Sequence, residues 1–315
     1  MATGIISMLA ETAVHAGTGS DIGAVDLPHQ RERATGIPTI HGSGIKGALR
    51  DAAGRCLSNS IVVSLFGSAP PQAPGGAQLE PGALAFSDAR LLLFPCRTVG
   101  PIFAWVTSPY LLARFQRDAH SAGFQCSDVE FFKPSDSEAY VTTTSHFGGQ
   151  VFIEEFSFTK KADSRVDKWA EFIRDNVLPG DGKEKSDNRC GGEFIRDNVL
   201  PGDELRSYDF WRNHVVKSLV VVSDSNLRDF VTYGTEVVTR VRLDPRKKTV
   251  VEGALWTEEY LPQDTVMYCV VVEALRAGQQ ASPLGQLSTV INRMPVIQFG
   301  GKESIGRGFM RLRLL

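Results

Sequence analysis

The order of its period-two and helix-like segments constrains this chain most. Short apolar runs with strand character recur from the N-terminus to the last residues, and the two helix-like segments, near 44–57 and 109–119, are set among them instead of alternating with every strand. That order excludes both an all-helical bundle and a regular βαβ repeat. It predicts an α+β fold with helices layered on a largely antiparallel sheet. Residues 5–14 read as a first strand. Further strands are expected near 83–94, 102–107 and 151–159, then at Leu219–Val222, and at Val266–Leu275. The segments 237–241 and 249–256 flank Asp244-Pro245-Arg246-Lys247-Lys248 and predict a β-hairpin with a basic tip.

One peculiarity interrupts the pattern. Glu-Phe-Ile-Arg-Asp-Asn-Val-Leu-Pro-Gly-Asp stands at 171–181 and again, unchanged, at 193–203, a 22-residue unit copied once. A solenoid needs about three or more packed units, and nothing else recurs at this spacing, so repeat architectures are excluded. The charged, turn-rich segment 160–206 that carries the copy reads as a surface insertion. At 315 residues the chain is long enough for about two domains or one elaborated one.

Charge and cysteine usage remove other classes. Five scattered cysteines without a Cys-x-x-Cys give neither a disulfide framework nor a zinc site. His29, His41, His120, His146 and His214 lack metal-ligand spacing and read as structural. No apolar run approaches the ~18 residues of a membrane span, and the first cation is Arg31, so the expectation is a cytoplasmic protein without a secretory signal. Net charge is −2, but it is unevenly spread. Arg240, Arg242, Arg246, Lys247 and Lys248 face only Asp244, and from Arg293 onward five cations, among them Lys302, Arg307 and Arg311, face only Glu303. Two such clusters would serve an anionic partner if folding brought them together.

Three local patterns carry candidate chemistry. Ser43 is placed to cap the helix over 44–57, whose Ile45, Ala48, Leu49, Ala52 and Ala53 share one face while Lys46 and Arg50 share another. The stretch Phe299-Gly300-Gly301-Lys302-Glu303-Ser304-Ile305-Gly306-Arg307-Gly308 has the glycines and cations of a phosphate-backbone cradle. It lacks the Gly-Lys-[Ser/Thr] of a nucleotide-binding loop and precedes a strand, not a helix; a plain glycine-rich turn is the competing view. A long loop follows His15 and carries Asp26, and a loop aspartate by itself is more often a turn or cap residue.

Taken together, Pro38-Thr39-Ile40-His41-Gly42-Ser43-Gly44-Ile45-Lys46-Gly47-Ala48-Leu49-Arg50 and the 299–308 loop resemble the RAMP superfamily of CRISPR proteins. Ile22-Gly23-Ala24-Val25-Asp26-Leu27-Pro28-His29-Gln30-Arg31-Glu32 and Leu255-Trp256-Thr257-Glu258-Glu259-Tyr260-Leu261-Pro262 narrow the likeness to the backbone subunit of a type III-B, Cmr-type effector. The duplication departs from the family pattern. The resemblance implies a single domain over 1–315 with a ferredoxin-like (RRM-like) core, insertions and a β-hairpin thumb, for which 237–256 is the candidate. It implies copies stacked along a guide crRNA, other Cmr-type subunits, and a complementary single-stranded target RNA cut at regular intervals by a metal-assisted endoribonuclease. A carboxylate, alone or through a Mg or Mn ion, would assist attack by the 2′-OH and leave a 5′-OH and a 2′,3′-cyclic phosphate. On this reading Asp26 is catalytic and metal-binding, and His15, Glu258 and Tyr260 shape the catalytic site. Ser43, Gly44, Lys46, Arg50, Arg246, Lys247, Lys248, Gly300, Gly301, Lys302, Arg307 and Gly308 hold RNA backbone. A non-catalytic crRNA-binding scaffold and a guide-processing endoribonuclease are the alternatives.

Overall fold

The computed structural model describes residues 2–20, 23–68, 80–124, 126, 132–180, 208–274 and 282–315. Its elements run β1 (Thr3–Ala10), β2 (Thr39–Ile40), α1 (Gly42–Cys56), α2 (Asn59–Phe66), β3 (Leu84–Phe86), β4 (Ala89–Cys96), β5 (Ala104–Thr107) and α3 (Pro109–Ser121). There follow β6 (Glu138–Val141), β7 (Gln150–Ile153), β8 (Phe156–Ala162), α4 (Ser164–Phe172), α5 (Asp209–Ser218), β9 (Leu219–Val221) and α6 (Asp224–Tyr233). The chain ends with β10 (Glu236–Leu243), β11 (Val250–Tyr260), β12 (Val266–Glu273), α7 (Pro283–Arg293), β13 (Val296–Gln298) and β14 (Phe309–Leu314).

Twelve strands form one mixed sheet whose main path is β13-β14-β1-β12-β4-β5-β9-β6-β8-β7, with β2 added to β4 and β3 to β12. The β5–β9 and β6–β8 pairs are parallel and the others antiparallel. β1 sits inside this sheet, between β12 and β14. Its expected alternation of polarity is replaced by burial of every residue from Gly4 to Ala10, because helices cover both faces. Ile6, Met8 and Ala10 join one core layer with Ile45, Leu49, Ala52 and Ala53 of α1 and Leu287, Val290 and Ile291 of α7. Ile5 and Leu9 join the other with Leu112 and Phe115 of α3 and Trp169 of α4. Strands covered on both faces read as continuous apolar runs.

Two expectations are corrected here. The strand foreseen at 151–159 is a hairpin, β7–β8, turning at Glu154 with φ 51°. The segment 160–206 is not uniformly a surface insertion. Val166, Trp169, Ala170, Ile173, Val177 and Leu178 are buried in the second core layer, and Ile173–Val177 continues α4 as a π-helix turn. Their spacing puts them on one helical face. The first copy of the repeated unit therefore builds the fold, whereas the second copy, 193–203, lies outside the described residues. Because the copies are identical, removing 171–192 or 182–203 yields one and the same 293-residue chain, which keeps every core residue just named. This chain is expected to melt within about 3 °C of the full protein, under about 1 kcal/mol. A drop beyond about 10 °C in the same thermal scan would show that the removed residues pack on the body.

β10 and β11 form a separate two-stranded sheet, in register from Glu236–Tyr260 to Val241–Leu255 with an irregularity before Leu243–Val250. Its outer part is exposed, including Val241, Leu243, Val250 and Leu255, and in β11 burial begins only at Glu258. The hairpin thus projects from the body and is rooted at the last residues of β11.

Candidate active site

Those root residues are where distant segments meet. β10 occupies one edge of β11. On the other edge the loop after β1 lies parallel to it: Leu27 N–H donates to Thr257 O at 3.0 Å and Glu259 N–H to Leu27 O at 3.0 Å. Two residues further, Val14 and Leu261 exchange both backbone hydrogen bonds at 2.9–3.0 Å, which places His15 beside Tyr260. The Gly-rich loop closes over this segment, Gly308 N–H donating to Ala13 O at 3.0 Å and Gly301 N–H to His15 O at 2.9 Å. Gly300 has φ 78°, and a Cβ there would stand 2.2 Å from His15 O, so only glycine permits this approach.

Asp26 is exposed at the rim of the assembly. Thr257 holds it, its N–H and hydroxyl donating to Asp26 Oδ2 at 2.7 and 2.8 Å while its Oγ1 accepts Asp26 N–H at 3.0 Å. The Thr257 backbone donor, followed by the hydroxyl, keeps the carboxyl below its ordinary pKa. Asp26 is therefore an ionised, oriented carboxylate open to solvent.

Glu258 differs in every respect. Its side chain is 1% exposed and accepts from Trp256 Nε1 at 2.6 Å, Lys302 Nζ at 2.5 Å, Arg240 Nε at 3.3 Å and the Tyr260 hydroxyl. Burial pushes its pKa up, but the donors, Lys302 first, outweigh burial and bring it to about 2. A carboxylate so saturated is an anionic pin, not a general base. Tyr260, fully buried, lies under the Arg307 guanidinium at 4.9 Å from its ring centre and 5.4 Å from the His15 ring. His15 Nδ1 is 2.7 Å from Glu259 O. A carbonyl only accepts, so Nδ1 carries the proton and Nε2 is the atom through which the ring can take one up.

The four residues expected to be catalytic, Asp26, His15, Glu258 and Tyr260, thus gather along four residues of one strand. The expected RNA-binding residues are more dispersed. Arg246, Lys247 and Lys248 are exposed at the hairpin tip, which turns on Asp244 accepting from Arg246 and Lys247 N–H. Lys302 and Arg307 are engaged by Glu258 and, at 3.8 Å, by Glu236. In the Gly-rich backbone, the N–H groups of Gly301, Ile305, Gly306, Arg307 and Gly308 donate inside the protein. On α1, Ser43 is not the cap. His41 holds that position, Gly42 N–H donates to Asp88 Oδ1 at 2.7 Å, and Gly44 N–H returns to His41 O. Arg50 donates to Gly67 O at 2.7 Å and braces the α1–α2 pair, while Lys46 remains half-buried on the same helix. Among the described residues no three His, Cys, Asp or Glu side chains are grouped to hold a metal ion.

Sequence reasoning missed Thr257, Asp88, Arg31 and Glu259, whose partners lie far away in the chain. It read His29 as structural, and the geometry agrees. His29 is 2% exposed, its Nδ1 accepting from Ala16 N–H at 3.2 Å and its Nε2–H donating to Thr39 O at 3.1 Å. Burial lowers its pKa from 6.5 to about 4. The unfolded chain therefore binds a proton that the folded one refuses between those values, and His29 contributes stability that is present above pH 6.5 and lost as pH falls toward 4. The loss is expected to be about 3 kcal/mol. Urea denaturation of the protein and of a His29→Gln variant across pH 4–7 measures it; equal slopes would refute the assignment.

The sequence and the fold place the chain in a known class. The sequence profile of the RAMP superfamily matches residues 8–311, and the chain belongs to that superfamily. Within it, the chain is 29% identical to the CRISPR system Cmr endoribonuclease Cmr4 of Pyrococcus furiosus, over 98% of this chain and 95% of the relative. The crystal structure of oligomeric Cmr4 from the same organism superposes with a TM-score of 0.70 at 24% identity, covering 100% and 98% of the two chains. A type III-B Cmr-beta complex bound to cognate target RNA, solved by cryo-electron microscopy, contains a chain with a TM-score of 0.68 at 21% identity, covering 100% of this chain and 97% of that one.

Proposed function

We propose that this protein is the backbone subunit of a type III-B CRISPR effector, stacking on copies of itself along a guide crRNA beside other Cmr-type subunits and cutting complementary target RNA at regular intervals in the cytoplasm. The likeness in sequence and fold over nearly the full chain supports the assembly. The observation that carries the cleavage is Asp26, an ionised and exposed carboxylate fixed at the root of a projecting hairpin, on the strand whose next residues hold His15. On this reading the sheet is built around a ferredoxin-like core and the β10–β11 hairpin is the thumb, its basic tip and exposed apolar flanks meeting the RNA. Among the described residues no helix is long and apolar enough to cross a membrane.

The chemistry follows from the side chains. The 2′-oxygen of the target attacks the adjacent phosphorus, the 2′-OH gives up its proton, and the 5′-oxygen departs in line and is protonated. Asp26, with its pKa depressed, is a weak base and serves best as an oriented acceptor for the 2′-OH. His15, whose Nε2 is left over by the Glu259 carbonyl, can relay a proton, and Arg307, paired with Glu236 only at 3.8 Å, offsets the charge that develops on the phosphoryl oxygens. Asp26 is the side chain that would hold a Mg or Mn ion, and such an ion would favour the deprotonated 2′-oxygen. End-group analysis of target RNA cut by the reconstituted complex tests this reading, with evenly spaced products bearing 5′-OH and 2′,3′-cyclic phosphate expected. Specific cutting of repeat RNA by the isolated protein would replace it with guide processing.

A further inference from the structure

Glu259 stands beside Glu258 but its side chain points to the other side of β11, away from the Lys302 and Tyr260 cluster. It is 6% exposed. Its Oε2 accepts His29 N–H at 2.8 Å, and its Oε1 accepts Arg31 Nη2 at 2.5 Å and the Thr235 hydroxyl at 2.8 Å. Arg31 passes the tie onward, its Nη1 donating at 2.9 Å to Val231 O at the end of α6 and to Gly36 O. The main chain of the same residue is equally committed. Its N–H donates to Leu27 O, next to Asp26, and its carbonyl receives the His15 Nδ1 proton. One residue therefore joins the Asp26 loop at three points, the entry to β10 through Thr235, and the imidazole of His15.

We propose that Glu259 is a positioning residue for RNA cleavage, its side chain holding the Asp26 loop at one fixed offset from the hairpin root. The inference rests on the cleavage function proposed above. Burying a carboxylate is costly unless its lone pairs are satisfied. Here three donors satisfy it and keep it ionised, and all three come from segments that bear on the cleavage geometry instead of from the core. Removal would leave the Arg31 guanidinium, 24% exposed, without its anion and would take away the His29 and Arg31 ties of the loop, leaving the Leu27 backbone bonds and Thr257 to hold it. Misplacement of a reacting group by about 1 Å costs about a hundredfold in rate.

The test uses the assembled complex with guide RNA. Glu259→Ala is expected to lower the single-turnover cleavage rate at saturating target about tenfold to a hundredfold, with the Kd for target unchanged. Glu259→Gln, which keeps an acceptor for His29 N–H, should recover part of the rate. Arg31→Ala should be slow as well, and the Arg31→Ala, Glu259→Ala double variant no slower than the worse single, because both break one clamp. Should Glu259→Ala fail to assemble, the Glu259→Gln and Arg31→Lys pair is read by the same criteria. Wild-type rates in the variants, or rate losses that multiply in the double, would overturn the positioning role. Asp26→Ala in the same assay separates the two readings: if it also cuts normally, the cleavage assignment itself has failed.

Discussion

Asp26→Asn in the assembled complex is expected to lose target cleavage by about a hundredfold to ten-thousandfold while guide binding, target binding and stacking stay intact. The substitution is chosen because it separates charge from placement. The Asn carboxamide oxygen can still accept from Thr257 N–H and its hydroxyl, so the loop keeps its course along β11. What disappears is the negative charge, the one property needed both to polarise a 2′-OH and to hold a divalent ion. Asp26 lies at the surface and its hydrogen bonds are confined to one residue of the neighbouring strand, so stability should hardly change. Single-turnover cleavage of end-labelled target, read beside a gel-shift titration, decides the matter. Cutting at the wild-type rate with normal binding would leave the site without its central group.

Glu258→Ala should act in the opposite way, through stability first. Its carboxylate is the common acceptor for Trp256, Tyr260, Arg240 and Lys302, drawn from β10, β11 and the Gly-rich loop. Deleting it strands two cations and two neutral donors at the hairpin root, a change that costs about 3–5 kcal/mol when a buried pair is broken. Urea denaturation should show that loss, and hydrogen exchange should quicken in residues 300–308, which Lys302 ties to the hairpin. The sign with pH is equally definite. The folded pKa of about 2 lies below the ordinary 4.5, so the contribution of Glu258 is complete above pH 4.5 and fades as pH falls toward 2. Between pH 5 and 9 its charge is constant, and the cleavage profile should carry no inflection from it. An inflection in that range that vanished in Glu258→Gln would instead make Glu258 a general base.

How much of this could be read from residues alone depended on range. The apolar face of α1 was legible because Ile45, Leu49, Ala52 and Ala53 recur within one helix, and the β10–β11 hairpin because its turn residues sit between period-two runs. The buried helix at 164–177 was in principle equally legible from Val166, Trp169, Ala170, Ile173 and Val177, but its charged outer face and the neighbouring copy resembled an insertion. What no local pattern carried were the long-range pairings. Lys302 and Arg307 looked like open cations for phosphate, and folding gives them Glu258 and Glu236. Ser43 looked like a cap, and Asp88, 46 residues beyond Gly42, takes the N–H at the start of that helix. Asp26 could be singled out through resemblance, whereas its anchor, Thr257, lies 231 residues away and follows only from the parallel bridge.

That bridge has a metrical consequence. Leu27 is hydrogen-bonded on both sides to β11, so the carboxylate beside it and the hairpin are one rigid piece. On the function proposed above, wherever the hairpin settles against a guide–target duplex, the cutting group arrives at a constant displacement from it, like the blade on a marking gauge. In a stack of identical copies the interval between scissions is then inherited from the spacing of the subunits, and no base need be read to set it.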